Sequence, residues 1–407
     1  MGVRSGDRPR LGGGFARLWT ASLFTNVADG LALAAAPLLV ASLTDDPVLV
    51  GGAVFAQQLP WLLFSLISGV YVDRLDRRRL LVVVNLLRGL VVGGLTVSIF
   101  SGVVPVGLVY VAFFLLGTAE TLADNAASAV LPSLVDAEAL PAANARLTVV
   151  HLGVDQFVGP PLGAALFAVG AGLPFGVNAA AFALAAVVLG TLPRTLPAAA
   201  QRRPLWTEVR EGLHWMWVHR VLRTLAVTLG LMNVTLLAAF AVLVLYARER
   251  LGLADVGYGL LLAAMAAGGL LGAAAVGPLR ARFTDSVLLR TGLVVETATH
   301  VALATVTVPW LAAATLVVFG LHSSIWGIVS TTWRQRVVPE PLRGRVNSVH
   351  LLFSAGGAAL GSLVGGPLAA TFGITAPFWC SAVAMAVLTL RAWRSFGRRL
   401  VERPGVA

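Results

Sequence analysis

Ionisable side chains interrupt the long apolar runs in the first half of this 407-residue chain. They are Asp29, Arg88, Glu120, Asp124, His151 and Asp155. Glu120 and Asp124 are four residues apart, as are His151 and Asp155, so each pair would share one helix face. Carboxylates and an imidazole beside an arginine that never loses its charge could take up and release protons. Asp29 apart, the residue types and their spacing therefore predict a coupled proton-binding set.

Five of these side chains are expected at one depth in the membrane. A helix rises about 1.5 Å per residue, and each of the five is roughly five to ten residues from the same end of its run. They are Arg88, Glu120, Asp124, His151 and Asp155. A charge near the bilayer centre is costly, so such residues face a cavity or a partner. The set could load a proton in one conformation and release it in another. The alternative is a static salt-bridge network that bundles three helices.

Asp29 lies midway along the first apolar run, one helical turn from Asn26. It is predicted to bind substrate or a proton, because an uncompensated carboxylate at that depth is expected to serve a function. The alternative is a buried, hydrogen-bonded aspartate that fixes helix packing.

Composition defines the elements that must position these residues. The chain is 57% hydrophobic and 12% charged, about half the charged fraction of a soluble domain. A spanning helix needs about 20 apolar residues, and about twelve such runs are present. They lie near residues 16–42, 48–71, 80–100, 105–128, 147–169, 174–192, 222–246, 257–279, 286–307, 310–333, 347–371 and 375–393. The chain is therefore predicted to be an all-α integral membrane protein.

Arginine placement predicts the orientation of these spans. All basic residues are arginines, and all but Arg88, Arg248 and Arg250 fall in the terminal segments or in alternate joints between runs. Cytoplasmic loops are enriched in arginine and lysine, so both termini are expected in the cytoplasm. The net charge of +11 follows from this topology and does not indicate a nucleic-acid partner.

The two sets of six runs resemble each other. A shift of 203 to 208 residues places Asp29 on Asn233 and Gly153 on Gly356. Repeats with a site at their interface are a transporter architecture. We therefore expect two pseudo-symmetric six-helix bundles, at residues 1–193 and 222–407. Residues 194–221 are expected to form a cytoplasmic linker that contains an amphipathic helix lying on the membrane surface.

The segment "GVYVDRLDRRRLL", residues 69–81, resembles the signature between the second and third helices of the major facilitator superfamily of transporters. The positions that match are Gly69, Asp73, Arg74, Arg77 and Arg78. The commoner form of the signature has glycine where Asp76 stands. The resemblance implies a cytoplasmic gate that joins the two bundles; the alternative is that the arginines only anchor the topology.

Residues 121–147 and 333–349 resemble the branch that contains enterobactin exporters and macrolide-efflux proteins. The segment "GVDQFVGPPLG" is similar to the fifth-helix motif of antiporters in this superfamily, with matches at Gly159, Pro160 and Gly163. The resemblance implies a bacterial cytoplasmic-membrane transporter that works as a monomer. It would export amphipathic small molecules such as drugs, macrolides or siderophores in exchange for protons. A symporter, a uniporter and a carrier of lipid-like substrates remain alternatives.

The second half contributes fewer candidates. Glu296 and His300 are one turn apart and could couple protons or brace the packing, and Trp326 could contact an aromatic substrate. No nucleotide-binding loop, metal-ligand cluster or nucleophile constellation is evident, so no cofactor and no enzymatic activity are expected. A membrane sensor or enzyme is the alternative of a different class. An enzyme would cluster catalytic residues at a membrane face, whereas these charges fall inside the apolar runs.

Overall fold

The computed structural model of the protein describes residues 11–193, 205–339 and 342–398, and these ranges are helical with no strand. In the first half, the α-helices are α1 (Gly12–Leu43), α2 (Pro47–Arg74), α3 (Arg77–Phe100), α4 (Val106–Val130), α5 (Leu140–Val150), α6 (Gly159–Val169) and α7 (Leu173–Gly190). Short 3-10 turns cover Leu131–Ser133 and Ala137–Ala139, and a π-helix, His151–Val158, joins α5 to α6. The later helices are α8 (Leu205–Val218), α9 (Arg220–Phe240), α10 (Leu243–Glu249), α11 (Asp255–Arg282), α12 (Asp285–Thr305), α13 (Pro309–Val337), α14 (Arg343–Phe372), α15 (Ala376–Trp393) and α16 (Ser395–Arg398).

Twelve segments of the described chain are long and apolar enough to cross a membrane, as predicted. Each corresponds to one of the twelve apolar runs read from the sequence. One boundary was wrong, because the seventh run does not continue as one helix to residue 246. α9 ends at Phe240, and the buried helix α10 follows it. Within α10, the hydroxyl of Tyr246 donates to the carbonyl of Leu303 at 2.7 Å. Burial raises the pKa of Tyr246 to about 12, so this donor keeps its proton.

Two compact units divide the chain. The first unit comprises Met1–Ala35 and Ile67–Gln201, and the second comprises Ala36–Leu66 and Arg202–Ala407. This division differs from the predicted one in two places. Residues 36–66 group with the second half, and so does the part of the predicted linker from Arg202 onward.

Corresponding helices pack together in the two units. In the first unit α3 packs on α4 and α7, and in the second unit α12 packs on α13 and α15 in the same order. The fifth span of each set lies against the first. Gly163 of α6 contacts the backbone of α1 at Leu31, and Gly361 of α14 contacts the backbone of α9 at Val234. Small residues permit this close approach in membranes. The internal repeat predicted from the sequence is therefore also present in the way the helices of each unit pack.

Helix α8, within the predicted linker, packs on the second unit. Met216 is 1% exposed and lies in a hydrophobic cluster with Val346 and Val349 of α14. Glu211 forms an ion pair with Arg345. The apolar residues of the predicted amphipathic helix therefore do not share one environment, since Met216 is buried against α14 and Leu213 is exposed.

Candidate functional site

An ion pair between the first and third spans forms the centre of the site. The guanidinium of Arg88 donates to the carboxylate of Asp29. The Arg88 side chain is 5% exposed, whereas that of Asp29 is 32% exposed. The arginine is therefore enclosed by protein, and its partner lies where a small molecule or water can reach it.

Phe182 of α7 supports Arg88 from the other side. The guanidinium carbon is 4.1 Å from the centre of the Phe182 ring, which is a cation–π contact worth about 0.5–2 kcal/mol. The Nε atom of Arg88 is buried and has no hydrogen-bond partner among the described residues. Arg88 therefore keeps one donor available for a second acceptor, while the aromatic ring limits its movement.

Asp155 projects from the π-helix and is 6% exposed. Its Oδ2 atom lies 3.1 Å from Nδ1 of His151 and accepts from the amide of Gln156 at 2.7 Å. The same His151 nitrogen is 3.3 Å from Oδ1 of Asn26. The other carboxylate oxygen of Asp155 is buried without a partner in the described chain. π-Helical turns inside α-helices recur at functional sites, and Asp155 lies on this eight-residue segment.

Glu120 and Asp124 complete the site from α4. Glu120 is half-buried and Asp124 is exposed, and neither side chain makes a hydrogen bond or ion pair within the part of the chain that the structure describes. Glu120 is close enough to interact electrostatically with Asp29, Arg88, Asp124 and Asp155. Asp124 is likewise close to Arg88 and Asp155. Two adjacent carboxylates without fixed partners are free to bind a cation.

The six residues form one group, which we call the charge cluster. Its members are Asp29, Arg88, Glu120, Asp124, His151 and Asp155. Four carboxylates face one guanidinium and one imidazole, so the cluster is acidic even when the imidazole is charged. The five residues predicted as a set and Asp29, predicted separately, all lie within the first unit.

Gly30 explains why Asp29 and Asp155 are neighbours. A Cβ atom at Gly30 would lie 2.7 Å from the carbonyl oxygen of Asp155 and 3.0 Å from the Cα of Gly159. The amide of Asn178 on α7 also donates to the carbonyl of Ala28, at 2.9 Å. These contacts fix the position of the first span along its axis relative to the fifth and sixth spans. They thereby set the position of Asp29.

Replacing Gly30 with alanine is expected to destabilise the first unit by about 1–3 kcal/mol, because the added methyl group would overlap with backbone atoms. Thermal unfolding of the purified protein in detergent would measure the change. Gly94 is the matched control, because a Cβ there meets nothing within 4 Å. Equal unfolding temperatures for Gly30→Ala and Gly94→Ala would contradict the described contact.

The predicted gate residues lie partly outside the described side chains. Neither the exposure of Gly69 nor the side chains of Asp73 and Arg74 are among the described features. Two arginines that follow are placed: Arg77 donates to the carbonyl of Ala129 at 3.0 Å, and Arg78 donates to the carbonyl of Gly190.

Asp76, where the commoner signature has glycine, is the N-cap of α3. Its carboxylate accepts from the backbone N–H of Arg79 at 3.2 Å. This residue therefore starts a helix with an ordinary backbone conformation, and the gating role of the segment stays a prediction.

Gly159, Pro160 and Gly163 are buried where α6 meets α1. Pro160, at the second position of α6, has no backbone N–H to donate into the preceding turn, which is where the π-helix ends. The structure places the motif directly beyond the π-helix that carries Asp155.

In the second unit, Glu296 and His300 lie on α12, where both are buried. Trp326 of α13 is also buried, at 2% exposure, within a hydrophobic cluster. The amide of Asn233 on α9 donates to the carbonyl of Leu229 on its own helix, at 2.9 Å.

Several side chains at the site escaped prediction. Phe182 and Asn178 carry no periodic signal that pairs them with Arg88 or with α1, although a lone asparagine in an apolar run marks a polar contact. Gln156 could have been proposed from the sequence, because it directly follows Asp155. No group of three His, Cys, Asp or Glu side chains with metal-binding geometry occurs among the described residues.

Twelve spans, two units with the same internal packing and charges within the apolar spans define a transporter of the major facilitator type. The chain belongs to the transmembrane secretion effector family of that superfamily, whose model matches residues 9–399. It is therefore a multi-pass membrane transporter, and the prediction that it is not an enzyme is confirmed by its family.

Relatives and solved structures agree with this assignment. The multidrug efflux pump Tap of Mycolicibacterium fortuitum is 27% identical over 391 residues, covering 90% of this chain and 92% of the pump. The enterobactin exporter EntS of Salmonella typhimurium is 26% identical over 405 residues, covering 97% of this chain and 95% of the exporter. A bacterial homologue of the iron transporter ferroportin, in an inward-facing state, shares the fold with a TM-score of 0.73 at 18% identity, covering 95% of this chain and 99% of that one.

Proposed function

We propose that this transporter exports amphipathic small organic molecules in exchange for protons, by alternating access across a bacterial cytoplasmic membrane. The observation that carries the proposal is the charge cluster, in which Glu120 and Asp124 lack fixed partners beside the Asp29–Arg88 ion pair. The efflux activities named for the two relatives support the direction of transport. The fold needs one chain, with both termini in the cytoplasm.

The coupling would act through Arg88. When Asp29 is ionised, the guanidinium is held by it. When Asp29 takes up a proton, the ion pair weakens and Arg88 can turn its charge toward Glu120, which lies within its electrostatic range. Because Arg88 is always charged, a proton at one carboxylate changes the charge that a substrate meets at the others.

The charge balance favours cationic substrates. Four carboxylates against one guanidinium and one imidazole give an acidic binding region, and fields inside a low-dielectric site are strong. A substrate cation and a proton would then compete for Glu120 and Asp124, which is the requirement for exchange. A drug-like amphipathic cation satisfies this requirement.

Symport, uniport and transport of a lipid-like substrate remain alternatives within the same family. A uniporter needs no proton site, so it would leave the unpartnered carboxylates Glu120 and Asp124 without a function. The cluster therefore favours exchange over uniport.

Everted membrane vesicles test the proposal. Vesicles with an acidic interior and an enclosed pH-sensitive dye would receive candidate macrolides, dyes and siderophores. Addition of a substrate is expected to release protons from the wild-type vesicles and not from Asp29→Asn vesicles. Asp45→Asn is the matched control, because Asp45 is exposed in the joint between α1 and α2. Substrate movement with no proton movement would contradict proton exchange.

A further inference from the structure

A second group of ionisable side chains lies in the other unit. His322 of α13 is 2.7 Å through Nε2 from Oε2 of Glu296 on α12. His300, one turn along α12, has its Nε2 atom 3.6 Å from the other carboxylate oxygen. The carboxylate of Glu296 is thus placed between two imidazoles. We call these three residues the carboxylate–imidazole triad.

The triad is enclosed by protein. The side chains of Glu296 and His300 are each 2% exposed, and that of His322 is 5% exposed. Gly292 brings the two helices together at this level, since a Cβ there would lie 2.8 Å from Trp326 and 3.3 Å from Nδ1 of His322. A lone ionised carboxylate in such a place would be strongly destabilising. The triad therefore needs one proton to be electrically neutral.

Other charges are too remote to supply that neutrality. His300 and His322 are the groups with the largest electrostatic effect on Glu296. The remaining charged residues on α11, α12, α13 and α15 lie toward the helix ends, and they are Asp255, Arg280, Arg282, Asp285, Arg290, Arg334, Arg336 and Arg391. A proton on the triad is thus the available counter-charge.

The ring nitrogens leave room for that proton to move. Both nitrogens of His300 and Nδ1 of His322 are buried without a hydrogen-bond partner among the described residues. Glu296 can therefore share a proton with His322 at 2.7 Å, which is a typical charge-assisted distance. A second imidazole at 3.6 Å offers it another acceptor.

We propose that Glu296, His300 and His322 form a second proton-binding site, in the unit that does not contain the charge cluster. The triad binds one proton, shared between the carboxylate and an imidazole, and exchanges it with the medium. The inference does not depend on the charge cluster or on the identity of the substrate.

Nitrogen NMR of histidine-labelled protein in lipid nanodiscs tests the proposal, because the chain has six histidines. At neutral pH, one proton of the triad should appear as an imidazolium signal or as a carboxylic-acid band in the infrared spectrum. Glu296→Gln should remove it. Over a pH titration of the labelled protein, the proton content of the triad should change by one.

Three results are informative. An unchanged triad spectrum across the pH range would overturn the proposal in favour of a fixed structural ion pair. Neutral imidazoles beside an ionised Glu296 at neutral pH would overturn it as well. Should Glu296→Gln fail to fold, His322→Asn replaces it, since it removes the imidazole at 2.7 Å, and removal of the titration by that variant supports the proposal. His214→Gln is the matched control, because His214 is an exposed residue of α8.

A transport measurement distinguishes a proton site that takes part in transport from one that only stabilises the fold. With a substrate that the wild-type protein exports, Glu296→Gln should shift the pH dependence of export by changing the number of protons exchanged per substrate. A bracing role would lower the unfolding temperature and leave the pH profile in place. Because proton binding is measured without substrate, its outcome is independent of the outcome in everted vesicles.

Discussion

Replacing Arg88 with glutamine is expected to abolish export and to lower the stability of the first unit by about 3 kcal/mol. Removing one member of a buried ion pair leaves the other charge uncompensated, which costs about 3–5 kcal/mol. The lower end applies because the Asp29 carboxylate is 32% exposed. The cation–π contact with Phe182 is lost as well. Thermal unfolding in detergent and substrate export from vesicles would measure the two effects.

A double variant separates folding from coupling. Asp29→Asn together with Arg88→Gln removes both charges, so most of the lost stability should return. Export coupled to protons should not return, because no ionisable pair remains between α1 and α3. Recovery of proton-coupled export by the double variant would show that the pair is a static contact. Failure of the double variant to regain stability would show that Arg88 acts mainly through Phe182.

A permanently charged lipophilic cation should bind far more tightly than an anion of the same shape. Tetraphenylphosphonium and tetraphenylborate differ in charge and hardly in size, so the comparison isolates electrostatics. A unit charge about 6 Å from a carboxylate gains about 3 kcal/mol at an effective dielectric constant of 20. Glu120 and Asp124 together therefore predict at least a hundredfold preference for the cation. Equilibrium binding to the purified protein would measure it.

The isosteric double variant Glu120→Gln, Asp124→Asn supplies the control. Its affinity for tetraphenylphosphonium should fall at least tenfold, while the affinity for tetraphenylborate should rise or stay unchanged. Acidic pH should weaken cation binding to the wild-type protein and have a smaller effect on the variant, since protons and the cation compete for the same carboxylates. Equal binding of cation and anion by the wild-type protein would refute the substrate preference.

The membrane fold was largely predictable because apolar runs of about 20 residues have few alternative structures. The four-residue spacing of Glu120 with Asp124, and of His151 with Asp155, correctly placed each pair on one helix face. The common depth predicted for Arg88, Glu120, Asp124, His151 and Asp155 from the rise of a helix stays a prediction. These properties depend on local geometry, which one sequence contains.

Helix pairing was not predictable in the same way. The contact between Asp29 and Arg88 joins residues 59 positions apart, and the Phe182 ring that holds the guanidinium lies on a third helix. The sequence does not connect His322 to Glu296, because nothing in the periodicity of either helix aligns the two. The close approach at Gly30 became visible only when the neighbouring backbone was in place.

The boundary errors have physical causes too. The apolar run at residues 222–246 continues across the end of α9, since the short helix α10 is as buried as the spans around it. The amphipathic pattern of α8 predicted a membrane-facing surface. Part of that surface is covered by α14 instead, because a buried face looks the same in sequence whether lipid or protein covers it.

The π-helix at His151–Val158 has a consequence for how this chain tolerates insertions and deletions. A wide turn of this kind is what a single inserted residue produces in an ancestral α-helix. Deleting one residue from it would restore the α-helix but rotate everything after it by about 100°. Gly159 and Gly163 would then leave the surface of α1. Natural length variation should therefore be selected against within this segment, even where its individual side chains can be exchanged.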